Sequence, residues 1–427
     1  MGLGKTVQAL ALLLHRAKTG PALVIAPTSV AGNWQSETMR FAPTLNVQMF
    51  GENDRSAQLE NASESDVIIC TYGLLNTESS RLGTVKWGTV ILDEAQFIKN
   101  EATKRSKAAK GLQAEFRLIM TGTPVENHLG ELWNLFDFVN PGLLGSAESF
   151  QERFLIPIET NNCKQTRQNL KRLIQPYLLR RTKAQVLDEL PGRTEIIRKV
   201  VLSAEETALY EALRQKAMEK LNDTSKDGPG HIQILAELMR LRRACCHPRL
   251  VLPSWDMPAA KLALFLETIN ELVDNHHKVL VFSQFVDHLA ILKTEIENRN
   301  ISYQYLDGST PAKARRERIN AFQVGEGSVF LISLKAGGLG LNLTAADYVI
   351  HMDPWWNPAV EDQASDRAHR MGQKRPVTIY RFIAQGTVEE KIQALHREKR
   401  ALADSLLEGA DVSGKLSTSE LLELIRS

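Results

Sequence analysis

The 427-residue sequence predicts an α/β protein of two parallel-sheet lobes, and three observations carry that expectation. Short, continuously apolar runs recur in the first third of the chain with helix-length segments between them. The same alternation returns after residue 258. The interval between the two is mainly helical and basic in character. A run such as Ala22–Ala26 is too short for a helix and too uniformly apolar for a strand with one wet face. It reads as a strand buried on both faces, and parallel strands need helix-length crossovers.

The first lobe is expected over residues 1–140, with strands at 22–26, 67–70, 90–92 and 116–120. Residues 141–257 read as a helical connector. Within it, 161–250 hold 18 Lys/Arg against 10 Asp/Glu, and a loop is expected at Asp227–Gly230. The second lobe is expected over 258–395, with strands at 278–282, 302–306, 329–332, 348–350 and 377–380. A long amphipathic helix is expected after Gly386. Residues 396–427 form a C-terminal helical extension whose last helix starts at Ser417, with Glu420 closing a capping box.

Composition narrows the function. Hydrophobic residues at 43% and charged residues at 24% are globular values, which exclude a disordered chain or a rod. With 52 Lys/Arg against 50 Asp/Glu, a histone-like electrostatic binder is excluded too, though a local basic patch is not. The four cysteines at 70, 163, 245 and 246 lack C-x-x-C spacing, which argues against a zinc ribbon or a disulfide framework and suits a reducing compartment. Cys245-Cys246-His247 has no second half at ligand spacing and reads as buried packing at a helix end. The chain shows no run of about 18 apolar residues, so no membrane span is expected, and its start does not read as a secretory leader.

Chemistry concentrates in a few strings. The chain opens Met1-Gly-Leu-Gly-Lys-Thr6, the end of a phosphate-binding loop. Glycines let backbone N–H groups approach phosphate, Lys5 would neutralise the outer phosphates, and Thr6 would offer its hydroxyl to Mg²⁺. Asp93-Glu-Ala-Gln96 follows the apolar run ending at Leu92. A carboxylate at the end of a buried strand is where a P-loop enzyme holds its metal, so Asp93 would bind Mg²⁺ through water and Glu94 would polarise the attacking water. Thr121-Gly-Thr-Pro124 follows the strand ending at Met120 and would relay the nucleotide state. Asp366-Arg-Ala-His-Arg370 puts two arginines three apart, expected on one helix face, where guanidinium groups suit the charge of a transferring phosphoryl group.

In their order, Met1–Gln8, Asp93–Gln96, Thr121–Asn127, Leu179–Lys183, Lys335–Asn342, Asp353–Pro358 and Gln363–Gln373 resemble the motifs of Swi/Snf-type DNA-dependent ATPases of helicase superfamily two. The similarity covers nearly the whole chain. It implies two RecA-like lobes, ATP in the cleft between them and double-stranded DNA across both. It assigns catalysis to Lys5, Glu94, Arg367 and Arg370, the arginines acting as fingers donated from lobe two. It assigns nucleotide binding to Gly2, Gly4, Lys5, Thr6, Gln8, Asp93, Gln363 and Gly340, with Thr6 and Asp93 at Mg²⁺. DNA contacts would come from Thr28, Ser29, Asn33, Trp34, Thr71 and Tyr72 in lobe one. Ser283, Gln284, Gly308, Ser309, Lys335 and Trp356 would supply them in lobe two. Hydroxyls, amides and lysines suit phosphate contact, which positions without reading sequence. Trp34, Trp355 and Trp356 fit core packing as well.

The expected activity is ATP hydrolysis coupled to movement along duplex DNA by a monomeric motor, with displacement of bound protein as the outcome. A bacterial or archaeal cytoplasmic, nucleoid-associated protein is expected; a eukaryotic one would be nuclear. The family pattern puts an Asp-Glu pair, a strand and an adenine-holding glutamine ahead of residue 1. The chain therefore reads as starting inside the loop, and poor ATPase activity is expected of it as written. Two alternatives stay open: a catalytically inactive DNA-binding module, and an RNA helicase of the same superfamily. Leu179–Lys183 and Trp355-Trp356 count against the second.

Overall fold

The computed structural model describes residues 4–52, 54–122, 129–161, 163–179, 181, 190–222, 231–337 and 341–395. The chain divides into two compact units near residue 183.

The first unit holds a five-stranded sheet in the order β2-β3-β1-β4-β5. Its strands are β1 (Ala22–Ala26), β2 (Asn46–Met49), β3 (Asp66–Thr71), β4 (Lys86–Asp93) and β5 (Gln113–Met120). Every ladder is parallel, with Ile25 opposite both Cys70 and Leu92, and Asp93 opposite Met120. β1 is buried along its whole length, as its apolar run requires. Leu23, Ile25, Ile68, Val90 and Leu92 share one core with Leu75, Leu82, Trp87 and Phe138. Beyond the sheet, helix Leu129–Val139 packs Leu129, Trp133 and Phe136 against Phe150, Phe154, Ile158 and Leu170, a second core in the same unit.

The second unit holds a six-stranded, all-parallel sheet in the order β6-β11-β10-β7-β9-β8. The strands are β6 (Arg193–Val200), β7 (Val279–Ser283), β8 (Tyr303–Leu306), β9 (Val329–Ser333), β10 (Tyr348–His351) and β11 (Val377–Ala384). β6 lies inside the stretch expected to be mainly helical. Its sequence RTEIIRKV puts charge at half its positions, and as an edge strand it is largely exposed, so no apolar run marks it. Helices Ala204–Asn222 and His231–Cys246 pack Tyr210, Leu213, Leu238 and Leu241 against Ala384, Val388 and Ile392. Residues 141–257 are therefore shared between the two units, and the loop expected at Asp227–Gly230 lies outside the described residues. After Gly386, residues 388–395 are helical, and the extension expected beyond them also lies outside.

Candidate nucleotide and DNA-backbone sites

In a parallel sheet all the strand carboxyl ends lie along one edge, which is where open α/β sheets bind ligands. Thr28, Thr71, Asp93 and Thr121 all stand at or just past such ends in the first unit, and Ser283, Lys335 and Asp353 do so in the second.

In the first unit, Gly4 caps helix Lys5–Arg16 with φ +69°, and a Cβ there would meet nothing within 4 Å. The open, left-handed cap leaves the first-turn amides approachable, as a phosphate requires. The Lys5 amine is buried with no hydrogen-bond partner. An ammonium so placed calls for an anion. Across from it, Asp93 ends β4 at 6% exposure. Burial, then the neighbouring Glu94, push its carboxyl up to about 6, while the Trp34 hydrogen bond and the Lys5 charge act the other way. Trp34 Nε1 donates to Asp93 Oδ2 at 2.9 Å, and the Glu94 amide donates to Oδ1 at 2.9 Å.

Glu94 is buried and held in the left-handed region at φ +51°, a conformation costing roughly 1–3 kcal/mol in a non-glycine residue. The surroundings fix it there. Gln96 Nε2 donates to Glu94 Oε2 at 2.9 Å, and Thr121 Oγ1 donates to Gln96 Oε1 at 3.1 Å. The carboxylate at the end of β4 is thus joined to the segment after β5 through one amide. Residues 123–127 of that segment lie outside the described residues, as does Gly2. Thr6 and Gln8 occupy the first two turns of the helix behind Gly4, Thr6 half-buried and Gln8 exposed.

Among the DNA contacts expected from this unit, Thr28 and Asn33 are exposed on helix Thr28–Phe41, which also carries Ser29. Thr71 is half-buried, and its hydroxyl accepts the Leu74 amide at 3.3 Å. Two assignments need correction. Trp34 has no accessible surface, and Tyr72 is 3% exposed, with its hydroxyl donating to the Asp93 carbonyl at 2.9 Å. Both side chains face inward and brace Asp93; neither reaches a phosphate.

In the second unit, helix Pro358–Ser365 carries Gln363, and the two arginines follow it in a turn. The expectation of one helix face is corrected. After Ser365 the bonds tighten, Arg367 N to Ala364 O at 3.1 Å and Ala368 N to Ser365 O at 3.1 Å. Gln373 Nε2 then ties off the turn on Ala346 O and Ala368 O. Arg367 is buried and Arg370 half-buried, with Arg370 Nη1 donating to Leu341 O at 3.0 Å. An ionic cluster supports the preceding helix. Arg381 on β11 pairs with Glu361 and Asp362, and Arg193 on β6 with Asp362 and Asp366. Gly340 lies outside the described residues.

Gly308, Ser309 and Lys335 are exposed, and Ser309 donates through both its amide and its hydroxyl to Asp307. Gln284 and Trp356 are half-buried. Ser283 is a third correction: it is 1% exposed and its hydroxyl donates to Asp353. Folding also brings His288 and Asp353 to Cys246, with donor atoms within 4.8 Å of one another. Spacing along the chain could not show this. The Asp353 carboxylate there is already engaged by Ser283 and faces Arg242, and burial holds the Cys246 thiol well above its ordinary range. That supports packing rather than a cation.

The fold and the first site define a class: a two-unit, all-parallel α/β protein with a glycine-capped lysine helix facing a buried Asp-Glu pair. Comparison with known proteins makes this specific. The SNF2-related domain matches residues 1–250 and the Helicase conserved C-terminal domain matches residues 260–372, and the chain belongs to the SNF2-related family. A Bacillus subtilis protein named for an ATP-dependent helicase/translocase is 41% identical over 99% of this chain and 48% of its own length. The human SWI/SNF-related matrix-associated actin-dependent regulator of chromatin subfamily A member 1 is 36% identical over 100% of this chain and 43% of its length. The chain thus spans about half the length of the curated relatives it matches. The solved Sulfolobus solfataricus SWI2/SNF2 ATPase core in complex with dsDNA is 37% identical, covering 99% of this chain and 91% of that one. Its TM-score of 0.46 is too low to bear on the fold. Among the described residues, no helix is long and apolar enough to cross a membrane.

Proposed function

We propose that the protein hydrolyses ATP and couples the hydrolysis to movement along double-stranded DNA. The observation that carries this reading is the buried Lys5 amine, without a hydrogen-bond partner, beside the buried Asp93–Glu94 pair. A phosphate chain is the anion that satisfies the lysine together with the amides behind Gly4. Asp93, locked by Trp34, and Thr6 fit a divalent cation such as Mg²⁺, which would neutralise charge on the phosphates when bound. Glu94 is the base that orients the attacking water, and its Gln96–Thr121 connection would let the state of the nucleotide reach the segment after β5.

The remaining roles rest on the family pattern. Arg367 and Arg370 act as arginine fingers on the transferring phosphoryl group. Gly2, Gly4, Gln8, Gln363 and Gly340 bind nucleotide. Thr28, Ser29, Asn33, Thr71, Gln284, Gly308, Ser309, Lys335 and Trp356 meet the DNA backbone without reading sequence. The motor works as a monomer in the cytoplasm, and displacement of DNA-bound protein follows from its movement.

The test is the ATPase rate of the full-length protein with duplex DNA, with duplex RNA and with neither. Stimulation by DNA alone is expected. Equal or greater stimulation by RNA would replace the reading with an RNA helicase, and no hydrolysis under any condition would leave a binding module.

A further inference from the structure

Arg242 lies near the end of helix His231–Cys246 and has no accessible surface. A guanidinium taken out of water needs partners on every side, or it costs several kcal/mol. Its Nη2 donates to the Pro354 carbonyl and stands 3.9 Å from the Asp353 carboxylate. Its guanidinium carbon is 4.8 Å from the centre of the Trp356 ring, 5.7 Å from that of Phe285 and 5.9 Å from that of Trp355. Asp353 in turn accepts from the Ser283 hydroxyl, and the Gln284 amide lies 3.3 Å from either of its oxygens. One buried arginine and one buried aspartate therefore bolt together two segments far apart in sequence, 283–285 after β7 and 353–356 after β10. Beside them, the Gln284 side chain holds both its nitrogen and its oxygen buried without a hydrogen-bond partner. Such groups are rare in folded proteins, and the Arg242 Nε beside them is likewise buried without a hydrogen-bond partner.

We propose that Arg242 is a positioning residue that locks Gln284 and Trp356 into a single surface for the phosphate backbone of a DNA duplex. The inference rests on the DNA-binding reading above. Arg242 touches no DNA itself, because it is fully covered; it acts by stacking on Trp356 and hydrogen-bonding the chain just before Trp355. A lysine would not replace it, having neither a planar face nor a forked set of donors.

The test uses the full-length protein with Arg242→Met and fluorescently labelled duplexes of random sequence, titrated at several salt concentrations. DNA affinity should fall on the order of tenfold, the scale of coupling within one hydrogen-bonded network. The slope of log affinity against log salt should not change, because no cation is removed from a phosphate. Acrylamide quenching of tryptophan fluorescence should rise, and ATP affinity should hold. A slope reduced by about 0.9 would make Arg242 a direct phosphate contact and overturn the proposal. So would unchanged DNA affinity. If Arg242→Met does not fold, Ser283→Ala deletes one of the two links from the first segment to Asp353, the hydroxyl, and leaves the Gln284 amide in place. It must then weaken DNA binding at unchanged slope, and wild-type affinity in that variant overturns the proposal. Failure of the wild-type protein to bind duplex DNA at all would sink the DNA reading itself. A variant indistinguishable from a DNA-binding wild type sinks only the positioning role.

Discussion

Glu94 is where single-residue chemistry can be checked most cleanly. It is buried, held at positive φ and hydrogen-bonded by Gln96. Glu94→Gln keeps the shape and removes the charge proposed to polarise water. Turnover should fall by roughly 10²-fold or more, as for loss of a general base, while Mg-ATP affinity stays near wild type. Single-turnover rates with equilibrium nucleotide binding measure both, and turnover within a few-fold of wild type would refute the assignment. Asp93 gives a second check. Its carboxyl is raised from 3.8 to about 6, mainly by burial. A raised folded value means that in metal-free protein the group favours the fold below pH 4, and that this contribution is lost as pH rises through about 6. Relative to Asp93→Asn, the metal-free wild type should therefore lose melting temperature between about pH 4 and 6. Mg²⁺ affinity should move the other way and weaken as pH falls through about 6, since the ion needs the carboxylate. At this scale the sequence marked candidate residues for the chemistry but not what holds them. Gly4, Lys5, Asp93 and Glu94 form local strings with a known chemical sense. The resemblance assigns Trp34 and Tyr72 to DNA, though Trp34 fits core packing as well. Only the packed structure shows both turned inward onto Asp93.

The elements that carry these residues were legible where burial is complete, while two of the four edge strands escaped notice. β1, β7 and β9 are buried throughout and announce themselves as apolar runs. β2 and β6 are edge strands with polar or charged residues, and neither was marked. β6 matters all the same, since its Arg193 helps to anchor the helix leading to Arg367 and Arg370. The stronger anchor is Arg381, 5% exposed and paired with the 1% exposed Glu361. Arg381→Met leaves a buried carboxylate without its cation, so stability should drop by about 3–5 kcal/mol. Urea unfolding measures this, and a loss under 1 kcal/mol would show that the pair is not needed. Arg367→Ala and Arg370→Ala test a different property of the same element. Each should lower turnover on the order of 10³-fold and leave DNA affinity much less changed. A variant that loses DNA affinity and keeps its rate per bound complex would be a DNA contact instead.

For the whole molecule, a net charge of +2 hides how the cations are used. From sequence, the basic excess in 161–250 leaves a local basic patch open. In the structure, Arg167 and Arg242 are buried and Arg193 is spent on carboxylates. Part of that excess is therefore internal wiring, which composition cannot distinguish from a DNA-facing charge. The proposed backbone contacts are phosphate contacts, so duplex affinity should fall steeply with salt and vary little among sequences. A flat salt response or a marked preference for one sequence would contradict that. The central claim is directed movement driven by ATP, and displacement of a third strand from a triplex tests it most directly. With ATP, the protein should strip a triplex-forming oligonucleotide from its duplex while leaving the two duplex strands paired, and Glu94→Gln should not. Vigorous DNA-stimulated hydrolysis with no displacement of the third strand would show that the protein hydrolyses ATP on DNA without moving along it.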